Sequence, residues 1–231
     1  MKNKENNSDN SNVFEQLYNN FSDPWSYEKH YLFGLNRIEN TIKHIPKSNY
    51  INILDLGCGN GYSTNLIMNL GEKIIGVDIS PTAVKKARLR LKDKTNCDFI
   101  IADIQKLPFK PSAFDLIVCI EVLSYFAKCS NLDKIIADLK SIDVEGGIII
   151  FAVPVGRKYF EYDGFLRKIS TYFRILAVVP VTSRITYYID KSQFLPKFFK
   201  LEINDFIMQI TRVFPKQLTF HLMIAAKKGA K

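Results

Sequence analysis

From residue 51 to residue 154 short apolar runs alternate with amphipathic stretches, and this leaves little room for any architecture but βαβ units around a mainly parallel sheet. The runs INILDL (51–56), KIIGVDI (73–79), CDFIIAD (97–103), FDLIVCIEV (114–122) and GGIIIFAVP (146–154) read as five strands. They are close to continuously apolar, the pattern of strands buried on both faces. Residues 62–70, 81–91 and 132–142 read as helices between them, the second opened by Ser80 as N-cap. Farther on, LEINDF (201–206) and LTFHLMIAAK (218–227) read as an antiparallel pair closing the sheet edge. The expected fold is therefore α/β: a Rossmann-like, doubly wound, mainly parallel seven-stranded sheet with an antiparallel C-terminal strand pair.

At 231 residues the chain has the size of one domain. Its polar start, MKNKENNSDNSN, is expected to be a disordered tail over residues 1–12. Residues 13–46 are rich in aromatics, and Tyr27, Tyr31, Leu35, Ile38 and Ile42 recur at the spacing of an amphipathic helix ending near Pro46. Residues 51–154 form the core of the domain, 155–200 an aromatic and basic insertion, and 201–231 the closing strand pair. No secretory signal and no membrane-spanning run is visible, and Cys58, Cys97, Cys119 and Cys129 show no C-x-x-C pairing. The expectation is a cytoplasmic protein with free thiols and no metal site.

The strand-to-helix junction after the first run reads Asp55-Leu56-Gly57-Cys58-Gly59-Asn60-Gly61. Gly57, Gly59 and Gly61 allow tight backbone geometry and a close approach of ligand to main chain, and the following helix start offers N–H groups to a carboxylate. A dinucleotide loop reads G-x-G-x-x-G, whereas here the third glycine comes one place early and Tyr62 takes the expected position. The loop thus favours a nucleoside carrying an amino acid over one carrying a pyrophosphate. Asp55 stands two residues before the first glycine, within reach of a cationic amino group. Asp78 ends the second strand 17 residues after Gly61, placed for two ribose hydroxyls, and Asp103 ends the third, placed for an adenine amino group. Three acids at three successive strand tips address one crevice.

ILDLGCGNG, GVDIS, ADIQKLPF (102–109) and FDLIVCIEVLSYF (114–126) together resemble the successive motifs of class I S-adenosylmethionine-dependent methyltransferases. The resemblance implies that Asp55, Gly57, Cys58, Gly59, Asn60 and Gly61 hold the methionine portion of S-adenosyl-L-methionine, Asp78 and Ile79 the ribose, and Asp103 and Ile104 the adenine. It also implies that Glu121 lies beside the sulfonium. Tyr125 stands where many relatives carry a histidine. FSDPWSYEKHY is similar to the Asp-Pro-Trp entry of some small-molecule methyltransferases, including the nodulation N-methyltransferases, which implies a lid of Trp25, Tyr27 and Tyr31.

Methyl transfer needs chiefly alignment and exclusion of water, with a group to take a proton where the acceptor is an amine or hydroxyl. His30, Glu121 and Tyr125 are the candidates, while His44 and His221 receive no role. The expected acceptor is an O or N atom of a small molecule or glycan, including a lipid-linked one in view of the insertion. Residues 165–181 interleave basic residues with an apolar face, suited to peripheral contact with an anionic membrane. Residues 157–231 hold 14 Lys or Arg against five Asp or Glu, so the net charge of +9 sits in the last third and leaves a nucleic-acid partner open. An RNA or protein methyltransferase is the alternative, although no Asn-Pro-Pro-Tyr-like run follows the fourth strand. A non-catalytic donor-binding module is the other.

Overall fold

The computed structural model describes residues 7–25, 27, 35–46, 48–126, 131–155, 161–191, 200, 203, 204, 206–209 and 219–229. Its strands are β1 (Tyr50–Leu56), β2 (Gly71–Asp78), β3 (Cys97–Ile101), β4 (Phe114–Ile120), β5 (Asp143–Pro154), β6 (Arg174–Ser183) and β7 (Thr219–Lys227). They form a seven-stranded sheet in the order β3-β2-β1-β4-β5-β7-β6. The contacts β3·β2, β2·β1, β1·β4 and β4·β5 are parallel, and β7 runs antiparallel to both β5 and β6. The direction of strand order reverses between β1 and β4, which opens a crevice at their carboxyl ends.

The helices are α1 (Asn7–Asn20), α2 (Leu35–Lys43), α3 (Tyr62–Ile67), α4 (Pro81–Arg90), α5 (Leu132–Ile142), α6 (Tyr162–Tyr172) and α7 (Arg184–Lys191). Strand side chains alternate between two cores, as a period of two requires. Leu54, Leu56, Ile117, Cys119, Ile149 and Phe151 face the side carrying α5 and α6. Ile53, Leu116, Val118 and Ile150 face the other, with Ile67 of α3 and Ile45 after α2. In α5 the buried positions Leu132, Ile135, Ile136, Leu139 and Ile142 recur at helical spacing, so one stripe of the helix faces the sheet. Ser80 caps α4, its hydroxyl accepting from the Ala83 N–H, with Pro81 at the first turn.

Three expectations need correction. Residues 7–12, expected to be disordered, belong to α1. Its intrinsic helix tendency is weak, and tertiary contacts hold it: Glu15 accepts from the Ser80 and Thr82 hydroxyls at 2.6 Å, and Lys86 Nζ donates to the Tyr18 and Phe21 carbonyls. The sixth strand is RILAVVPVTS rather than LEINDF, in which Ile203, Asn204 and Phe206 are helical. Ile203, Phe206 and Ile207 are spaced for a helix, and Pro180 is tolerated in β6 because that strand lies at the sheet edge. The stretch 165–181 is therefore no continuous amphipathic helix: α6 ends at Tyr172, with Phe165 and Ile169 buried in the core, and β6 follows. Of the apolar residues in this stretch, Phe165, Ile169 and Val181 are buried in the core, whereas Leu176 and Val178 are exposed on the outer strand. Within the expected 155–200 insertion the described elements are α6, β6 and α7, and β6 pairs with β7. Among the described residues no helix is long and apolar enough to cross a membrane.

Candidate active site

The crevice beyond β1 and β4 holds a cavity of about 990 Å³, counting its open mouth. Its floor is the turn after β1. The Gly57 and Cys58 amides both donate to the Val77 carbonyl, at 2.7 and 3.0 Å, which ties the turn to β2. Gly57 has φ +75° and a Cβ there would overlap Val122; Gly59 has φ +54° and a Cβ there would lie 2.5 Å from Tyr18 Oη. Only glycine fits these two positions, and the turn therefore presents bare main chain to the cavity. Cys58 and Asn60 line the cavity, whereas Gly61 sits behind it at the start of α3.

Asp78 lines the cavity at the tip of β2, its carboxylate accepting from the Gly59 N–H at 2.9 Å and the Ser80 N–H at 3.0 Å. Burial pushes its pKa up against those hydrogen bonds. Ile79 continues the wall. Asp103, after β3, caps a short 3₁₀ turn by accepting from the Gln105 N–H at 2.9 Å, and together with Ile104 it reaches the same cavity.

Asp55 does not line the cavity, contrary to the expectation that it meets the ligand directly. It is 1% exposed and accepts from Ser63 Oγ at 2.7 Å and Thr64 Oγ1 at 2.6 Å. Burial is the main reason that its pKa is pushed up to about 6. Ser63 does reach the cavity, so Asp55 acts on it through that hydroxyl and through its charge. The physical reason is strand alternation: Leu56 points into one layer, Asp55 into the other, beneath α3.

Beside the glycine turn, just past β4, the cavity is lined by Glu121, at φ +61°, whose neighbour Val122 packs against Gly57. A residue with a Cβ in that region is strained by roughly 1–2 kcal/mol. Its carboxylate meets Arg37 Nη1 at 2.5 Å and His221 Nε2 at 2.6 Å. Tyr125 is 42% exposed and packs edge-on against Phe14, ring centroids 5.1 Å apart. Of the expected lid, Trp25 donates to Tyr18 Oη at 3.0 Å and Tyr27 packs edge-on against Tyr62, both beside the cavity. Tyr31 and His30 lie outside the described residues, as does Cys129.

Sequence reading missed Phe14, Tyr18 and the pair Arg37 and His221. The first two were open to discovery, since their spacing of four places both on one face of a helix. The second two carried no local signal: they lie 184 positions apart and meet only because α2 packs over the end of β7. His221, given no role, is fully buried in contact with a cavity residue. Among the described residues no cluster of His, Cys, Asp and Glu could hold a metal ion.

Comparison with known proteins agrees with this geometry. Residues 47–184 match the family model described as a methyltransferase domain. The chain is similar to the Caenorhabditis elegans sterol 4-C-methyltransferase, 34% identical over 45% of this chain and 31% of that protein. It is also similar to a Methanocaldococcus jannaschii protein carrying no activity in its name, 28% identical over 85% of this chain and 91% of that one. Among solved structures, the N-methyltransferase NodS of Bradyrhizobium japonicum, bound to S-adenosyl-L-homocysteine, superposes with a TM-score of 0.71 at 15% identity, over 95% of this chain and 98% of that one. The bare glycine turn, the acids at neighbouring strand tips and the aromatic wall suit an adenosyl amino acid in chemistry and size, and the chain belongs to the class I S-adenosylmethionine-dependent methyltransferase family.

Proposed function

We propose that this chain transfers a methyl group from S-adenosyl-L-methionine to an N or O atom of a small molecule or glycan. The observation that carries the reading is the convergence of the Gly57–Asn60 turn, Asp78 and Asp103 on one cavity that Glu121 and aromatic rings also line. In this reading the amides of the turn and Ser63 receive the amino-acid end of the donor, with Asp55 behind Ser63 supplying negative charge toward its ammonium. Asp78 accepts from the ribose hydroxyls, and Asp103 with Ile104 holds the adenine. When bound, S-adenosylmethionine supplies an electrophilic methyl group. The protein aligns the acceptor with it and keeps water out, an alignment effect that reaches roughly 7–11 kcal/mol.

Helix α1 and Trp25 roof the cavity from the N-terminal side, and Asn60 Nδ2 donates to the Ser22 carbonyl at 3.1 Å, joining the roof to the glycine turn. Phe14, Trp25, Tyr27 and Tyr125 offer ring faces suited to a sugar or another planar acceptor. An N acceptor agrees with the fold shared with the N-methyltransferase NodS. Calorimetry with S-adenosyl-L-homocysteine, followed by methyl-labelled donor offered to fractionated cell extract, tests the reading. Label is expected in the small-molecule or glycan fraction. Absence of binding refutes the donor site, and label confined to RNA or protein refutes the acceptor class.

A further inference from the structure

On the acceptor side of the cavity, three polar residues from distant parts of the chain close around one carboxylate oxygen. Arg37 of α2 and His221 of β7 both approach Glu121 Oε1, and the far ring nitrogen of His221, Nδ1, lies 2.9 Å from Thr182 Oγ1 of β6. Arg37 and His221 are 5% and 0% exposed, and Thr182 1%. A Thr182 hydroxyl donating to Nδ1 puts the ring proton on Nε2, toward Glu121, with Arg37 Nη1 3.2 Å from the same nitrogen. Register places His221 opposite both Pro154 at the end of β5 and Thr182 at the end of β6, at the sheet edge that opens on the cavity.

Burying a guanidinium, an imidazole and a carboxylate is a poor way to stabilise a fold, because apolar residues of the same volume serve as well. Holding Glu121 in left-handed backbone geometry adds to the cost, and strain of this kind collects where a side chain must be aimed. What the arrangement does accomplish is to fix one anionic group in the lining of the cavity that Tyr27 and Tyr125 also line. Arg37 and His221 contact the Glu121 carboxylate directly, and Tyr27, buried in the same lining, is influenced by Arg37, Glu121, Asp23 and Tyr125 together.

We propose that Arg37 and His221 are positioning residues that hold the Glu121 carboxylate as hydrogen-bond and proton acceptor for a nucleophile bearing N–H or O–H. This rests on the methyltransferase reading and deepens it. The acceptor heteroatom forms its bond to the methyl carbon as the carbon–sulfur bond breaks, the electron pair remaining on sulfur. The proton of the heteroatom passes to Glu121 and from there to solvent. Arg37 and His221, both on Oε1, fix the orientation of the carboxylate. A carboxylate or phosphate acceptor would bring a second anion against Glu121 and is excluded.

The test uses the full chain as wild type, Arg37→Lys, Arg37→Met, His221→Gln, His221→Leu and Glu121→Gln. In protein with isotope-labelled histidine, the His221 Nε2 proton is expected far downfield, and it moves upfield in Glu121→Gln. With labelled S-adenosylmethionine and cell extract as acceptor pool, the incorporated label is expected to survive mild alkali, as N-methyl and ether groups do and methyl esters do not. Arg37→Met and His221→Leu are expected to lower the transfer rate roughly tenfold or more, with most of it recovered in Arg37→Lys and His221→Gln. Affinity for S-adenosyl-L-homocysteine stays within about twofold in the Arg37 and His221 variants, because neither residue lines the cavity. Alkali-labile label, a His221 proton indifferent to Glu121→Gln, or equal losses in conservative and non-conservative variants would overturn the proposal. Failure of the wild type to bind S-adenosyl-L-homocysteine would instead remove the donor reading.

Discussion

Replacing Asp55 by Asn separates what this residue does for the fold from what it does for the ligand. Asp55 is 1% exposed, and burial raises its pKa from 3.8 to about 6 despite hydrogen bonds from Thr64 and Ser63. A rise of about two units means that the folded protein carries the charge at neutral pH at a cost of up to about 3 kcal/mol relative to a neutral side chain of the same shape. The sign follows from the direction of the shift. An acid whose folded pKa is raised contributes stability below its unfolded value and loses it as pH climbs through the folded value, between about 4 and 6 here. Asn keeps a carbonyl oxygen for the two hydroxyls without the charge. Urea denaturation should therefore show Asp55→Asn more stable than wild type at pH 7.5, with the gap closing toward pH 4.5. Calorimetry on the same protein should show S-adenosylmethionine bound roughly tenfold more weakly, since a charge behind Ser63 is worth on the order of 1–2 kcal/mol to a nearby cation. A stability difference that does not change with pH would refute the burial argument. Unchanged donor affinity would take Asp55 out of the ligand's field.

Asp78→Ala should weaken donor binding about tenfold or more by calorimetry, the loss of a charged acceptor shared by two hydroxyls; an unchanged value removes Asp78 from the site. Gly59→Ala places a Cβ at φ +54°, 2.5 Å from Tyr18 Oη, and should lower the unfolding midpoint and the donor affinity together. Tyr18→Phe deletes that oxygen, so the double variant should recover part of the loss, and simple additivity in a double-mutant cycle would contradict the contact. Glu15→Ala removes the hydrogen bonds from Ser80 and Thr82 that hold α1 against α4, and amide exchange in α1 should speed up well before the sheet responds. In the wild type those bonds keep the Glu15 pKa below its usual value, so the docking of α1 should loosen as pH falls through the acidic range.

The parts of this protein written in its sequence are those whose cause is local. Each of the five strands from β1 to β5 announces itself as an apolar run, and the turn at Gly57 and Gly59 as residues that alone tolerate its backbone. Asp78 and Asp103 reach the cavity because a strand end is a place the sequence can point to. Even there the orientation of Asp55 escaped, since one step along a strand turns a side chain to the other face.

What distance in sequence hides, only packing decided. RILAVVPVTS and LEINDF are both short apolar segments, and which of them becomes a strand depends on pairing with β7 rather than on either segment alone. Helix α1 has too little tendency of its own to be foreseen and exists through its contacts with α4. Glu121 lies 84 positions from Arg37, and Arg37 lies 184 from His221. A hydrogen bond acts over about 3 Å. Residues so far apart in the chain come within that reach only once the sheet has closed, and no local pattern could have named them.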